Sequence, residues 1–237
     1  MFPARRHDRR PLSRTPSLSV LLLPLVLSAL TGTALAQTGI TASLVSEYSL
    51  RGLSLSDGRP AFQLRIDHDT DSGWYWGAFG SRLAIRASPA TALAIGYGGY
   101  ARRLPSGVAW DAGVKQAVFL RDARFNYLEA YAGISSERAS ARLSLSPAYY
   151  GAGRTAYLEV NAVHPLGAGW RLGGHAGLLQ RAGRGGAAAR TRIDLRAAIA
   201  ADVGDASIEV GLQARQRDPG LGAARARALF ASASMGF

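Results

Sequence analysis

Beyond residue 36 the chain has three histidines, His68, His164 and His175, and no cysteine. Metal chemistry needs a convergent set of imidazole or thiolate donors, and three scattered histidines do not make one. An imidazole beside a carboxylate is the minimum for general-base hydrolysis. One such pair is available, His175 with Asp194, on segments predicted to be neighbouring strands. No G-x-S-x-G nucleophile elbow accompanies it: Gly80-Ser81 falls inside a strand-like segment. Gly183-Arg-Gly-Gly186 lacks the Lys-Ser/Thr that would complete a phosphate loop. These residues predict no catalytic site, no metal site and no cofactor.

The chemistry left is electrostatic. Glu47, Arg65, Asp67, Arg82, Asp111, Lys115, Glu129, Arg142, Glu159, Arg171, Asp194, Arg196 and Glu209 lie on the polar side of alternating segments or at their ends. With both signs interspersed, such residues line either a narrow charged channel or a filled, ion-paired interior. Small residues assigned to the same side, Ala94, Gly96, Gly98, Gly113, Gly173 and Gly177, leave space and favour the channel. Arg51, Asp57 and Arg59 occupy the stretch between the first two segments, where Asp57-Gly58 supplies turn chemistry. That stretch is expected to be a hairpin tip at the mouth of the passage or folded into it, and so a constriction.

The elements that would position these side chains are strands. Ile40, Ala42, Leu44, Tyr48 and Leu50 share one parity, while Thr41, Ser43, Glu47, Ser49 and Arg51 share the other. The same period recurs over 61–69, 73–86, 92–102, 108–120, 126–135, 138–149, 155–163, 169–180, 191–201, 207–215 and 226–237. In 73–86 the apolar set is Tyr75, Phe79, Leu83 and Ile85, and in 92–102 it is Leu93, Ile95 and Tyr97. No apolar run after residue 36 approaches the about 20 residues that a spanning helix needs. A two-sheet sandwich would bury the apolar faces against each other. A closed transmembrane barrel turns them to lipid and needs an even strand count with aromatic residues at the interfaces. Twelve segments, with Tyr48, Tyr97, Trp110 and Trp170 near their ends, predict the all-β, antiparallel, up-and-down transmembrane barrel. The last segment ends on the aromatic Phe237, which suits a terminal strand read by the barrel-assembly machinery.

The first 36 residues read as a cleaved export signal: five arginines, an apolar stretch from Leu18 to Leu30, and Ala34-Leu-Ala36 before Gln37. Residues 37–237 then form the barrel domain. A net charge of +12 in which every basic residue except Lys115 is arginine would otherwise suggest nucleic acid, but an exported chain meets anionic lipid instead. With the termini on the periplasmic side, the predicted outer loops are rich in arginine and the inner turns in acids. Arg181, Arg184, Arg190 and Arg192 are expected to contact lipopolysaccharide phosphates, which suit the bidentate guanidinium fork.

The stretch from Val45 through Tyr48-Ser-Leu-Arg-Gly-Leu-Ser-Leu-Ser-Asp-Gly-Arg-Pro-Ala-Phe to Gln63, with Ser72-Gly-Trp-Tyr-Trp-Gly77 and Gly80-Ser81, resembles the opening motif of the TorF family of bacterial porins, earlier catalogued as conserved proteins of unknown function. The resemblance covers about residues 45–81 and implies an outer-membrane barrel of about this length that passes small solutes or ions. Two other readings stay open: a closed barrel with a binding or structural role, and a barrel hydrolase.

Overall fold

The computed structural model describes residues 37–85, 88–182, 190–215 and 227–237; residues 1–36, expected to be an export signal, and Arg184 lie outside them. The strands are β1 (Gln37–Val45), β2 (Ser49–Leu50), β3 (Leu53–Ser54), β4 (Ala61–Asp69), β5 (Trp74–Arg82), β6 (Ala92–Arg103), β7 (Ala109–Leu120), β8 (Tyr127–Ser135), β9 (Ala139–Ser146), β10 (Thr155–Gly167), β11 (Trp170–Arg181), β12 (Arg190–Val203), β13 (Ala206–Arg215) and β14 (Arg227–Gly236). All but β2 and β3 pair with their neighbours antiparallel, and β1 pairs with both β4 and β14, which closes a twelve-stranded barrel. Both described ends of the chain lie at one mouth, here the inner end, with the short turns; the longer loops lie at the outer end.

The apolar parity faces outward over most of the wall. Leu44, Phe62, Val114, Leu128, Leu143, Leu158, Leu178, Ile193, Val210 and Leu229 are exposed, the reverse of a water-soluble sheet protein. The tryptophans gather at the inner end: Trp74 and Trp76 open β5, Trp110 opens β7 and Trp170 opens β11, all exposed. Tyr100 bridges two of them, 5.4 Å from Trp74 and 5.8 Å from Trp110 between ring centroids.

Three expectations need correction. β1 stops at Val45, so Tyr48 and Leu50 leave the wall, and Tyr48 is buried inside. Tyr97 also points inward, so neither tyrosine belongs to an outer girdle. On β5 and β6 the faces are exchanged: Tyr75, Phe79, Leu83, Leu93, Ile95 and Tyr97 look inward, while Ala94, Gly96, Gly98 and Arg82 look outward. The reason is that both faces of these two strands are apolar or small, so alternation alone does not orient them. What orients them is the first loop, whose Tyr48 and Leu55 need an apolar socket; Tyr48 lies 5.9 Å from the Phe79 ring.

The inward tyrosines lie over glycines of neighbouring strands. A Cβ on Gly99 would come 2.6 Å from the Tyr75 hydroxyl, and one on Gly113 2.6 Å from that of Tyr131. Tyr131 is held in place by Tyr75 at 2.8 Å and by the Arg142 guanidinium over its ring at 4.7 Å. Gly113→Ala is therefore expected to destabilise the barrel by about 1–3 kcal/mol through overpacking. Gly174, with open space around it, is the control, and Gly174→Ala should stay within about 0.5 kcal/mol. Urea unfolding of the two variants in the same lipid separates these outcomes.

Candidate functional site: the barrel interior

The first loop folds into the barrel. Arg51 and Gly52, both with positive φ (50° and 71°), join β2 to β3 as a two-residue turn of the primed type. A second turn carries Asp57 and Gly58, also at positive φ (52° and 73°). Ser56 fastens the two, accepting from the Tyr48 amide at 2.9 Å and donating to the Arg59 carbonyl at 2.6 Å. Leu55, 0% exposed, accepts at its carbonyl from the Ala84 amide at 2.8 Å, which ties this loop to the segment after β5. Around it pack Leu93, Phe119, Tyr127, Tyr149, Tyr157 and Leu179, so the outer half of the lumen between β6 and β11 holds a dry aromatic core. The innermost turn of the expected tip is therefore Arg51-Gly52, while Arg59 stays exposed.

Arg51 reaches Glu129 on the far wall in a two-pronged ion pair, Nη1 to Oε1 at 2.5 Å and Nη2 to Oε2 at 2.9 Å. Lys115 adds a second cation to Glu129, Nζ to Oε2 at 2.8 Å. The guanidinium also lies 4.2 Å from the Tyr157 ring centroid and 5.1 Å from that of Tyr149. Burial alone would lower the Arg51 pKa, but the carboxylate of Glu129 outweighs it and holds the group well above its ordinary value. At the outer end Asp122 accepts from Arg124 at 2.8 and 2.9 Å and from Ser88 at 2.7 Å. Those bonds hold its carboxyl down at about 2.

Below this plug the wall is a series of paired charges. Arg142 donates to Asp111 at 2.9 Å, which also accepts from Tyr75 at 2.9 Å. Arg65 donates twice to Asp67, at 2.5 and 2.8 Å. Arg196 donates to Glu209 at 2.6 Å and stacks 3.7 Å over the Phe230 ring. Arg171 binds Asp202 and donates to Ser207 at 2.6 Å. Glu47 accepts from Gln213 at 2.9 Å. His175 and Asp194 do meet, Nε2 to Oδ1 at 2.7 Å, but Asn161 occupies Nδ1 at 2.8 Å and the hydroxyl beside Nε2 is that of Tyr157, at 3.3 Å. Among the described residues no serine contacts this imidazole, and the pair ties the neighbouring strands β11 and β12 of the wall.

A cavity of about 200 Å³ reaches from the inner turn at Ser136–Ala139 to mid-barrel, lined among others by Asp111, Arg142, Glu159, Asn161, Arg171, His175, Arg196 and Glu209. Glu159 is 7% exposed, sits opposite Arg142 in the β9–β10 ladder and attracts Lys115 through space. Two sequence assignments fail here. Arg82 is exposed on the outer surface, on the parity of Trp74 and Trp76. Arg192, placed with the outer arginines, is turned inward and 9% exposed, because the parity of β12 sets it with Asp194 and Arg196. Arg190 is exposed at the outer end and Arg181 half-buried there. The sequence reading missed Tyr149 and Tyr157 as partners of Arg51; only the aromatic and acidic residues on the polar parity of β8 and β10 hinted at them.

No curated protein matches the chain. Among solved structures, the KdgM porin in complex with disordered oligogalacturonate is 10% identical, with a TM-score of 0.56 over 84% of this chain and 98% of that one. The NanC porin is 9% identical over the same shares, with a TM-score of 0.49. OccK2 of Pseudomonas aeruginosa in complex with glucuronate is 18% identical over 77% of this chain and 65% of that one, with a TM-score of 0.35. The likeness to the KdgM porin is one of fold, a closed barrel of matching extent. A family model described as "Bacterial protein of unknown function (Gcw_chp)" matches residues 31–216, and the chain belongs to that family.

Proposed function

We propose that this chain is an outer-membrane porin, through which small polar solutes or ions diffuse passively between the inner cavity and the outer mouth. The observation that carries the reading is a closed barrel with an apolar exterior and a charged interior that narrows at the inward-folded first loop. An apolar outer face is stable only against lipid, and a closed barrel leaves no unpaired strand edge there. The fold likeness to a porin and the TorF resemblance of residues 45–81 support the same reading. Residues 1–36 serve as the export signal, and Phe237 closes the strand offered to the assembly machinery. Exposed Arg82 and Arg190 face lipopolysaccharide phosphates at the outer rim; Arg192 does not. The barrel works as a conduit, without cofactor or catalytic step.

Planar-bilayer recording of the purified protein tests this. Reproducible single-channel steps are expected, enlarged when residues 49–54 are replaced by a short Gly-Ser linker. A folded variant without the loop tip that passes no current overturns the porin reading. That result would favour a closed barrel with a binding or structural role, which the dry packing of Tyr48, Leu55 and Phe119 supports.

A further inference from the structure

The Arg51 pocket has the chemistry of a receptor for a cation. Its walls come from elements outside the first loop: Glu129 and Lys115 from β8 and β7, Tyr157 from β10, and Tyr149 from the turn after β9. A planar guanidinium fits them on three counts, with two parallel N–H donors to one carboxylate, an aromatic face at 4.2 Å and a second at 5.1 Å. The loop, by contrast, presents Arg51 from a left-handed backbone conformation, with φ at 50°, that a non-glycine residue rarely adopts. The pocket thus suits the head group better than the loop suits the residue that delivers it. The inner cavity ends short of this pocket, with Glu159 on its lining. Glu159 stands two residues from Tyr157 on the same face of β10, roughly 7 Å along the strand. An ammonium or guanidinium group in the cavity would meet Glu159 first and the aromatic pocket next. The arginines facing that cavity are already paired, Arg142 with Asp111, Arg171 with Asp202 and Arg196 with Glu209, and so offer an acidic solute less than their number suggests.

We propose that the Glu129–Tyr149–Tyr157 pocket is a recognition site for solutes that carry a guanidinium or alkylammonium group, and that Arg51 is a built-in competitor occupying it. The proposal rests on the porin reading for how a solute arrives, but not for the existence of the site. A solute that takes the place of Arg51 over Glu129 releases the loop tip, so occupancy and opening are linked. The wild-type chain binds such a solute only in the fraction of molecules whose loop has withdrawn, which lowers its apparent affinity by that fraction. Removing the competitor removes the penalty.

The test uses the full mature chain folded in detergent, with agmatine as the cationic probe and galacturonate as the acidic one, binding being read by calorimetry. Arg51→Ala is expected to bind agmatine about tenfold or more tightly than wild type, and adding Glu129→Gln should abolish the gain. If Arg51→Ala does not fold, Arg51→Gln keeps the polar stem without the charge and is held to the same expectation. Equal agmatine affinity in wild type and the folded Arg51 variant overturns the site, as does a gain that survives Glu129→Gln or a preference for galacturonate. Bilayer recording of the same samples separates the two claims. Agmatine binding without current supports the site and overturns the porin reading, whereas current that agmatine leaves unchanged, with no binding, overturns the site alone.

Discussion

Glu129→Ala is expected to cost the barrel about 3–5 kcal/mol, because it removes one carboxylate that two buried cations share. Glu129 is 0% exposed and Arg51 7%, so water cannot replace the lost counter-charge without reopening the outer core. Lysine left in such a place can shed its proton, but arginine cannot. The loop tip must then withdraw and take Tyr48 and Leu55 out of their socket, and the loss combines electrostatics with apolar burial. Urea unfolding in lipid vesicles measures the cost, and limited trypsin cleavage after Arg51 reports whether the tip has left. Replacing all three charges with apolar residues, Arg51→Met, Lys115→Met and Glu129→Leu, should recover most of the stability, since no buried charge then lacks a partner. A loss below about 1 kcal/mol for Glu129→Ala, the range of an exposed ion pair, would mean that the cluster is solvated and the plug is loose.

How much of this was legible in the sequence depends on what fixes each feature. Strand period is local, and segments 61–69 and 207–215 fall within a residue of β4 and β13. Closure followed from the even number of segments. Facing was legible where one parity is bulky and apolar and the other charged, as on β8 with Leu128 against Glu129. It was not legible on β5 and β6, where Phe79 competes with Ala78 and Ile95 with Gly96. There the answer comes from a segment about 40 residues away in sequence from Leu93, the first loop, which packs on one face and leaves the other to lipid.

The first loop shows the same limit at a site. Asp57-Gly58 is the strong turn signal of the stretch 51–60 in which the tip is expected. Leu50-Arg-Gly-Leu53 carries a weaker one, yet it makes the tighter turn because Arg51 finds Glu129, 78 residues away in sequence. A long-range ion pair offsets an unfavourable backbone conformation, and no local rule contains that information. The charges of the interior were readable as a set. Their pairing was not, because partners such as Arg171 and Asp202 lie on different strands and meet only through the register of the closed wall.

If the barrel conducts, Arg51→Ala is expected to turn it towards cations, and Arg59→Ala is not. The two residues are eight positions apart in one loop and looked equivalent as candidates for the constriction. Arg59 is exposed beyond the turn, where salt screens a charge within about 10 Å at ordinary ionic strength. Arg51 lies inside, against a carboxylate that keeps Lys115 as its other partner, with Glu159 nearby also attracting that lysine. Its removal leaves two carboxylates facing one lysine across the narrowed part of the lumen. A unit charge about 4 Å from a passing ion is worth about 4 kcal/mol at an effective dielectric near 20, and a third of that already shifts a permeability ratio about tenfold. The reversal potential across a potassium chloride gradient should therefore move strongly towards potassium in Arg51→Ala and by little in Arg59→Ala. Equal shifts in the two variants would place the narrow point at the outer rim instead of at Glu129. Glu159→Gln combined with Arg51→Ala should reverse part of the change, because the carboxylate that draws cations onward from the inner cavity is then neutral.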